Sequence, residues 1–189
     1  MARTVGELVA DVNNLVDENF VASMIVGWFN EALGDLAEVA RMESVSRTFT
    51  TAGVDSYALP PDHYKTMWVF IAGVKIPPVD IDSEDVGYHE WGGVLTIVPP
   101  PPLDNDELEL YYYRLPATLS PSNLNASPDI PERYYHLLTL FAAARTQSRD
   151  EDLEEKNDFW RDYIIGKQSY NRDTASKVAK HRSLTMRVG

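Results

Sequence analysis

The stretch from Ile130 to Tyr170 constrains the fold most, because it begins with a helix-length segment that is apolar on nearly every side. Pro131 is a favourable first helical residue, since its φ angle is fixed and its missing N–H has no helical partner to lose. Apolar residues then recur at helical spacing, at Tyr134, Leu137, Leu138, Phe141 and Ala144. A helix with so little polar surface is typical of the centre of a domain. We therefore predict a central helix that begins at Pro131.

One face of this predicted helix is lined by small or weakly polar residues. They are His136, Thr139, Ala143 and Thr146. Gly27 and Gly34 are spaced seven residues apart in an earlier predicted helix, where each costs about 1 kcal/mol relative to Ala. These six residues would allow close helix packing, either within the protomer or against a neighbouring copy.

A second long helix is predicted to follow a short turn at about residues 147–149. Ser148 and Glu151 have the spacing of a capping box, and the acids at 150–152 match the positive end of a helix dipole. Its apolar stripe consists of Leu153, Trp160, Tyr163 and Ile164. We expect it to end at about Tyr170 and to form a helical hairpin with the first.

Helices also open the chain, and strands follow them. Thr4 and Glu7 form another possible capping box before an amphipathic helix that ends at about Val16, and a second helix is expected from Val21 to Arg41. After Glu43 the pattern changes to strands separated by Gly, Pro and Asp. We predict strands at Ser46–Thr51, Ser56–Leu59, Tyr64–Ala72, Val74–Ile76, Val94–Val98 and Glu107–Arg114, the second returning on the first after a turn.

The predicted fold class is therefore α+β. About four helices would form a bundle from residues 1–45 and 128–171, around an inserted antiparallel β domain of about five or six strands at residues 46–127. Pro77-Pro78 and the proline run at 99–102 would end strands as stiff connectors, and the run could also dock a partner. Residues 172–189 are expected to form an extended basic tail.

Charge is distributed unevenly along the chain. The tail carries one acid and five basic residues: Arg172, Lys177, Lys180, Arg182 and Arg187. The remaining residues carry 12 basic and 28 acidic side chains, and the whole chain has a formal net charge of −12. An acidic body repels nucleic acid, which argues against sequence-reading DNA recognition. The cationic tail favours a protein partner, although a solvated tail without a binding role would have the same composition.

Composition also limits the chemistry. The chain has no cysteine, so disulfides and thiolate sites are excluded. It has neither a run of about 18 apolar residues nor a basic-then-apolar start, from which we expect a soluble protein without a membrane segment or a secretion signal.

No residue pattern predicts an enzyme, a metal or a cofactor. Asp80, Asp82, Glu84 and Asp85 resemble the start of a calcium loop, but the sixth position lacks Gly and the twelfth is Trp91 instead of Glu, so a solvated acidic loop is expected. The four histidines lie in separate segments, and His89-Glu90 is expected on a loop surface. Nucleophile, phosphate-loop and dinucleotide motifs are absent.

An aromatic group in the β region leaves two interpretations open. Tyr111, Tyr112 and Tyr113, with Trp91 and Tyr88, could stack on sugars or bases, but cross-strand packing is the more common use of aromatic residues in sheets. A carbohydrate- or peptide-binding module is therefore the alternative function.

Three segments carry a resemblance to a known family. They are Trp28-Phe29-Asn30-Glu31-Ala32-Leu33, then residues 49–60 (FTTAGVDSYALP), and Ile130-Pro131-Glu132-Arg133-Tyr134-Tyr135. In this order, with two opening helices, a β insert and two later helices, the chain resembles the head-to-tail adaptor proteins of tailed bacteriophages, also called head-completion or connector proteins.

The resemblance implies a structural protein of the virion neck, assembled in the host cytoplasm. About twelve copies would form a ring beneath the portal protein, with the helices as its wall and the β insert facing outward or toward the tail. The ring would conduct genomic DNA without reading it and would offer a docking surface to a tail, stopper or nozzle protein. The small-residue set would pack between neighbouring copies, and the basic tail would become ordered on the portal. No cofactor or membrane is implied.

Overall fold

The computed structural model describes residues 2–146 and 153–185, and in the last helix it describes side chains from 158 to 175. Over these residues the protein is mixed α+β, with four α-helices and two small antiparallel sheets. The chain divides into two compact units. One consists of residues 1–41 and 116–189 and contains the helices, and the other consists of residues 42–115 and contains the strands.

The two opening helices end where the sequence predicts. Helix α1 spans Val5–Val16, and the predicted capping box is present: the Thr4 backbone N–H donates to the Glu7 carboxylate at 2.7 Å, and the Glu7 N–H donates to Thr4 Oγ1 at 3.2 Å. Helix α2 spans Ala22–Ala40 and stops at Arg41, whose φ of 46° lies in the left-handed region. Both helices bury one apolar face, as their periodicity predicts.

Helix α3 is the central helix of its unit. Pro131 caps a single 3₁₀ turn, Glu132–Tyr134, and α3 then spans Tyr135–Thr146 in contact with α1, α2 and α4. Nine of its residues are buried, which confirms the prediction of a helix that is covered on nearly every side. The connector before it also lies in this unit, since the N–H groups of Val5 and Gly6 donate to the carbonyls of Ala126 and Leu124, each at 2.8 Å.

Helix α4 is much longer than predicted. It spans Leu153–Thr185, 33 residues or roughly 50 Å. The prediction of an extended tail from residue 172 is therefore wrong as far as Thr185, because the helix continues without interruption past Tyr170. No proline or glycine follows before Gly189, and Ala, Lys and Arg are good helix formers. The predicted capping box of Ser148 and Glu151 and the last four residues of the tail lie outside the described residues.

The seven strands of the described chain form two sheets. They are β1 (Met42–Phe49), β2 (Ser56–Ala58), β3 (His63–Ile71), β4 (Val74–Ile76), β5 (Gly87–Trp91), β6 (Val94–Val98) and β7 (Glu107–Arg114). The first sheet has the order β1-β7-β3-β4 and the second has the order β2-β6-β5. Their apolar faces share one core, formed by Val69, Tyr88, Leu95, Ile97, Leu108, Leu110 and Tyr112.

Two predictions in this unit are wrong. β1 and β2 do not form a hairpin, because β1 pairs with β7 along all eight of its residues and β2 pairs with β6. The segment at His89-Glu90, predicted as a loop surface, is instead strand β5. A two-residue turn joins β5 to β6, and both of its residues, Gly92 and Gly93, have positive φ angles, as hairpin turns of this length favour.

Candidate functional site

Polar side chains fasten α4 to the earlier helices. The hydroxyl of Tyr163, a residue with no exposed surface, donates to Asp35 Oδ2 of α2 at 2.5 Å. The Lys167 ammonium lies 2.8 Å from the same oxygen. Burial alone would raise the pKa of Asp35, but the hydrogen bonds from Lys167 and Tyr163 and the charge of Lys167 outweigh it and hold the pKa below its ordinary value. Asp35 therefore remains a carboxylate that binds two groups of α4.

A second group of contacts fastens α4 one to three turns later. The Tyr134 hydroxyl donates to Asp173 Oδ2 at 2.5 Å, and Arg133 lies 3.1 Å from the same oxygen. The rings of Tyr134 and Tyr170 stack with centroids 4.0 Å apart. Thr174 Oγ1 donates to the backbone carbonyl of Val39 at 2.7 Å. The position of α4 is thus fixed as far as Thr174.

Burial also keeps the tyrosines of these contacts neutral. It raises the pKa of Tyr163 far above its ordinary value, and the adjacent Asp35 carboxylate acts in the same direction. Burial, with a smaller contribution from Tyr134, raises the pKa of Tyr170 to about 12. The phenols are therefore hydrogen-bond donors and packing groups, with no tendency to ionise at neutral pH.

The six residues predicted to pack between copies fall into two groups. Thr139, Ala143 and Thr146 are buried within the chain itself. His136, Gly27 and Gly34 lie on the surface. A Cβ atom added at Gly27 or Gly34 would have no described heavy atom within 4 Å apart from its chain neighbours and the backbone of its own helix, so neither glycine serves a close contact with another element among the described residues.

The basic residues predicted to dock on the portal can be placed only in part. Arg172 is exposed on α4, one turn after the Lys167 contact. Lys177, Lys180 and Arg182 lie on the helical backbone beyond the described side chains, and Arg187 lies outside the described residues. The cationic segment is therefore carried mainly by the last turns of a helix.

The aromatic group of the β unit is mostly packing. Tyr88 and Tyr112 are buried in the shared core. Tyr111 contacts the rings of Trp68 and Phe70 edge-on, with centroid distances of 6.2 and 5.6 Å. Trp91 is the exception, because 74% of its surface is exposed.

Trp91 borders an open groove of about 450 Å³, which is lined by the start of β3, the segment 78–81 and the end of β5. Glu90 in this groove lies 3.8 Å from the ring of His63. His89 Nδ1 is buried and has no hydrogen-bond partner among the described residues. The sequence prediction does not contain this groove, because it places His89-Glu90 on a loop. Gly92-Gly93 before Val94 is a hairpin signal that also predicts a preceding strand.

Among the described residues, the carboxylates of the acidic loop beside the groove do not form a cluster that could hold a metal ion. Within residues 2–146 and 153–185, no three His, Asp or Glu side chains are placed to hold a metal ion. In the same part of the chain, no helix has the length and apolar character needed to cross a membrane.

Comparison with known proteins gives a family assignment. No curated protein sequence matches the chain. The family model described as SU10 adaptor protein matches residues 3–186, which includes both units and nearly the whole sequence. The chain therefore belongs to the SU10 adaptor protein family, a family of phage head-to-tail adaptors and thus of structural virion proteins.

Proposed function

We propose that the protein forms a closed ring of about twelve copies beneath the phage portal. DNA passes through this ring without being read, and the ring's far side docks a tail, stopper or nozzle protein. The family match over both units carries this proposal, since it identifies the chain as an adaptor. Assembly takes place in the host cytoplasm, and the finished ring belongs to the virion neck.

The charge distribution supports a channel role. Before residue 172 the chain carries 28 acidic and 12 basic side chains. A basic wall would bind phosphates and release counterions, whereas an acidic wall lets DNA slide without sticking. The same charge gives the cationic end of the chain a reason to bind acidic groups on a partner such as the portal.

The structure of helix α4 favours docking of its C-terminal end on the portal. Its contacts with Asp35, Tyr134 and Val39 fix the helix as far as Thr174. The helix continues to Thr185, and four of the five basic residues come after this fixed part. A rigid base followed by a cationic end suits docking on another ring.

The proposal predicts that a chain ending after Ala175 folds but no longer joins portal rings. This end point keeps Asp173 and Thr174 and removes Lys177, Lys180, Arg182 and Arg187. We expect thermal unfolding close to that of the full chain, and portal particles without an added ring in electron micrographs.

A full-length control separates charge from length. Changing Lys177, Lys180, Arg182 and Arg187 to Gln keeps the chain length and should weaken portal binding at low salt. Normal rings with the shortened chain would refute the docking role of this segment. Portal particles that never acquire a ring from the full chain would refute the adaptor ring itself.

A further inference from the structure

Among the described residues, strand β5 has a backbone edge beside the groove that is paired only in part. It pairs with β6 along its whole length on one side. On the other side, within residues 2–146 and 153–185, it pairs only at Tyr88, whose N–H donates to Pro77 O at 2.9 Å and whose carbonyl accepts from Val79 N at 2.8 Å. Backbone groups alternate between the two sides of a strand, so the N–H and carbonyl of Glu90 point to the same side as those of Tyr88. The segment 77–79 ends before it reaches them.

The opposite wall of the groove is a second incomplete edge. β4 pairs with β3 only along Val69–Ile71. Among the described residues, the earlier part of β3 has no strand neighbour on that side, and residues 64–66 line the groove. Two strand edges therefore border one open groove, which is the arrangement that binds an extended peptide by strand addition.

The groove also has a defined chemical character. Carboxylates of Asp80 and Glu90 line it, and Asp85 lines an adjoining depression, against the single ammonium of Lys65. Trp91 and Tyr64 contribute exposed aromatic surface, with 74% and 41% of their surfaces accessible. A negative groove with an open indole face favours Lys or Arg side chains, by charge and by cation–π attraction.

We propose that this groove binds an extended, basic segment of another protein of the particle, with the backbone of Glu90 as the pairing edge. The chain's own cationic segment does not suit this role, because it is helical as far as Thr185. The chemistry of the groove belongs to the β unit alone, so the peptide test does not depend on ring formation, whereas the identity of the partner as a protein of the particle rests on the proposed function.

The test uses the full chain and a capped seven-residue peptide of alternating Lys and Val. In a titration followed by amide NMR, we expect shifts confined to the groove and slower hydrogen exchange at the Glu90 amide. Two matched peptides should each bind at least about tenfold more weakly. In one, Glu replaces Lys, which reverses the charge. In the other, the backbone nitrogens of the Lys-Val peptide are methylated, which removes the hydrogen-bond donors needed for strand pairing.

Substitutions inside and outside the groove test where the peptide binds. Trp91→Ala and the pair Asp80→Asn with Glu90→Gln should each weaken peptide binding about tenfold. Phe49→Ala and Glu43→Gln change exposed residues of the same unit that lie outside the groove, and should leave binding unchanged.

Three results would overturn the proposal. The first is no binding of the Lys-Val peptide at millimolar concentration. The second is equal binding of the acidic peptide or of the groove variants. The third is tighter binding of a peptide that copies residues 172–189 of this chain, which would assign the groove to a second copy.

Discussion

At the scale of single residues, two helical glycines show that the effect of a residue on stability depends on packing as well as on its local helix propensity. A Cβ atom at Gly166 of α4 would lie 2.3 Å from Leu137 Cδ2 of α3, a side chain with no exposed surface. Gly34 of α2 has open space instead. Both are glycines within helices, but only Gly166 is required by a helix crossing.

This contrast predicts opposite effects of the same substitution. Gly34→Ala should raise the free energy of unfolding by about 1 kcal/mol, since Ala is the better helix former. Gly166→Ala should lower it by about 1 kcal/mol, because overpacking costs about 1–3 kcal/mol and exceeds that gain. Urea unfolding of the two variants measures both. Equal stabilisation by the two substitutions would show that α3 and α4 do not approach closely at this point.

At the scale of elements, α4 is held by polar contacts in addition to its apolar stripe. Of the predicted stripe, Tyr163 is fully buried, while Trp160 and Ile164 are 45% and 36% exposed. On α4, the hydroxyl of Tyr163 and the ammonium of Lys167 contact the Asp35 carboxylate of α2, and the Thr174 hydroxyl donates to the Val39 carbonyl. The Asp173 carboxylate of α4 in turn accepts from the Tyr134 hydroxyl. Spacing along the sequence does not reveal such partners, because Asp35 and Tyr163 are 128 residues apart.

The Asp35 contact makes the free energy of unfolding depend on pH in the acidic range. Because its folded pKa is lowered from 3.8, the carboxylate stabilises the fold above that pH, and the contribution is lost as pH falls through the lower folded pKa. Asp35→Asn should lower the free energy of unfolding by about 1 kcal/mol at pH 7. A hydrogen bond to a charged group contributes more than this when it is buried, but the Asp35 carboxylate is partly exposed. The cost should shrink and then disappear as the pH falls below 3.8 and through the lowered folded pKa.

Unfolding midpoints measured from pH 7 to pH 2.5 check this dependence. Glu38→Gln, at another exposed acid of α2, is the matched control and should leave the shape of the acid limb unchanged. A cost of Asp35→Asn that stays constant over the whole range would show that the carboxylate charge is not what fastens α4.

At the scale of the whole molecule, the question is which surfaces meet other copies. Thr139, Ala143 and Thr146 are already covered within the chain, which leaves Gly27 and Gly34 as the exposed small residues of the predicted set. If neighbouring helices pack there in a ring, a large side chain would be tolerated in the free chain and excluded from the assembly.

Gly27→Leu and Gly34→Leu should therefore leave the unfolding free energy unchanged or slightly higher, and should reduce the yield of portal-bound rings by about tenfold or more. Asn14→Leu, which adds the same side chain to the exposed face of α1, is the control. Normal ring yield with both glycine variants would place the contact between copies elsewhere.

Local sequence rules account for the elements that are predicted correctly. The capping box at Thr4 and Glu7, the glycine turns and the apolar run after Pro131 predicted α1, the β4 and β6 strands and the central helix, because caps, turns and periodicity act within a few residues. The sequence also predicted the adaptor family, which the family match confirms.

The pairing of the strands, and the features that depend on it, became known from the folded structure. β1 pairs with β7, whose residues lie 58 to 72 positions later in the chain. The groove at Trp91 exists because, among the described residues, β3 and β5 each lack part of a strand neighbour. The polar composition of residues 172–185 predicts an extended tail, but these residues continue a helix that Asp35, Tyr134 and Val39 fix in place. Long-range contacts of this kind depend on which surfaces meet in the folded chain, and no local pattern records them.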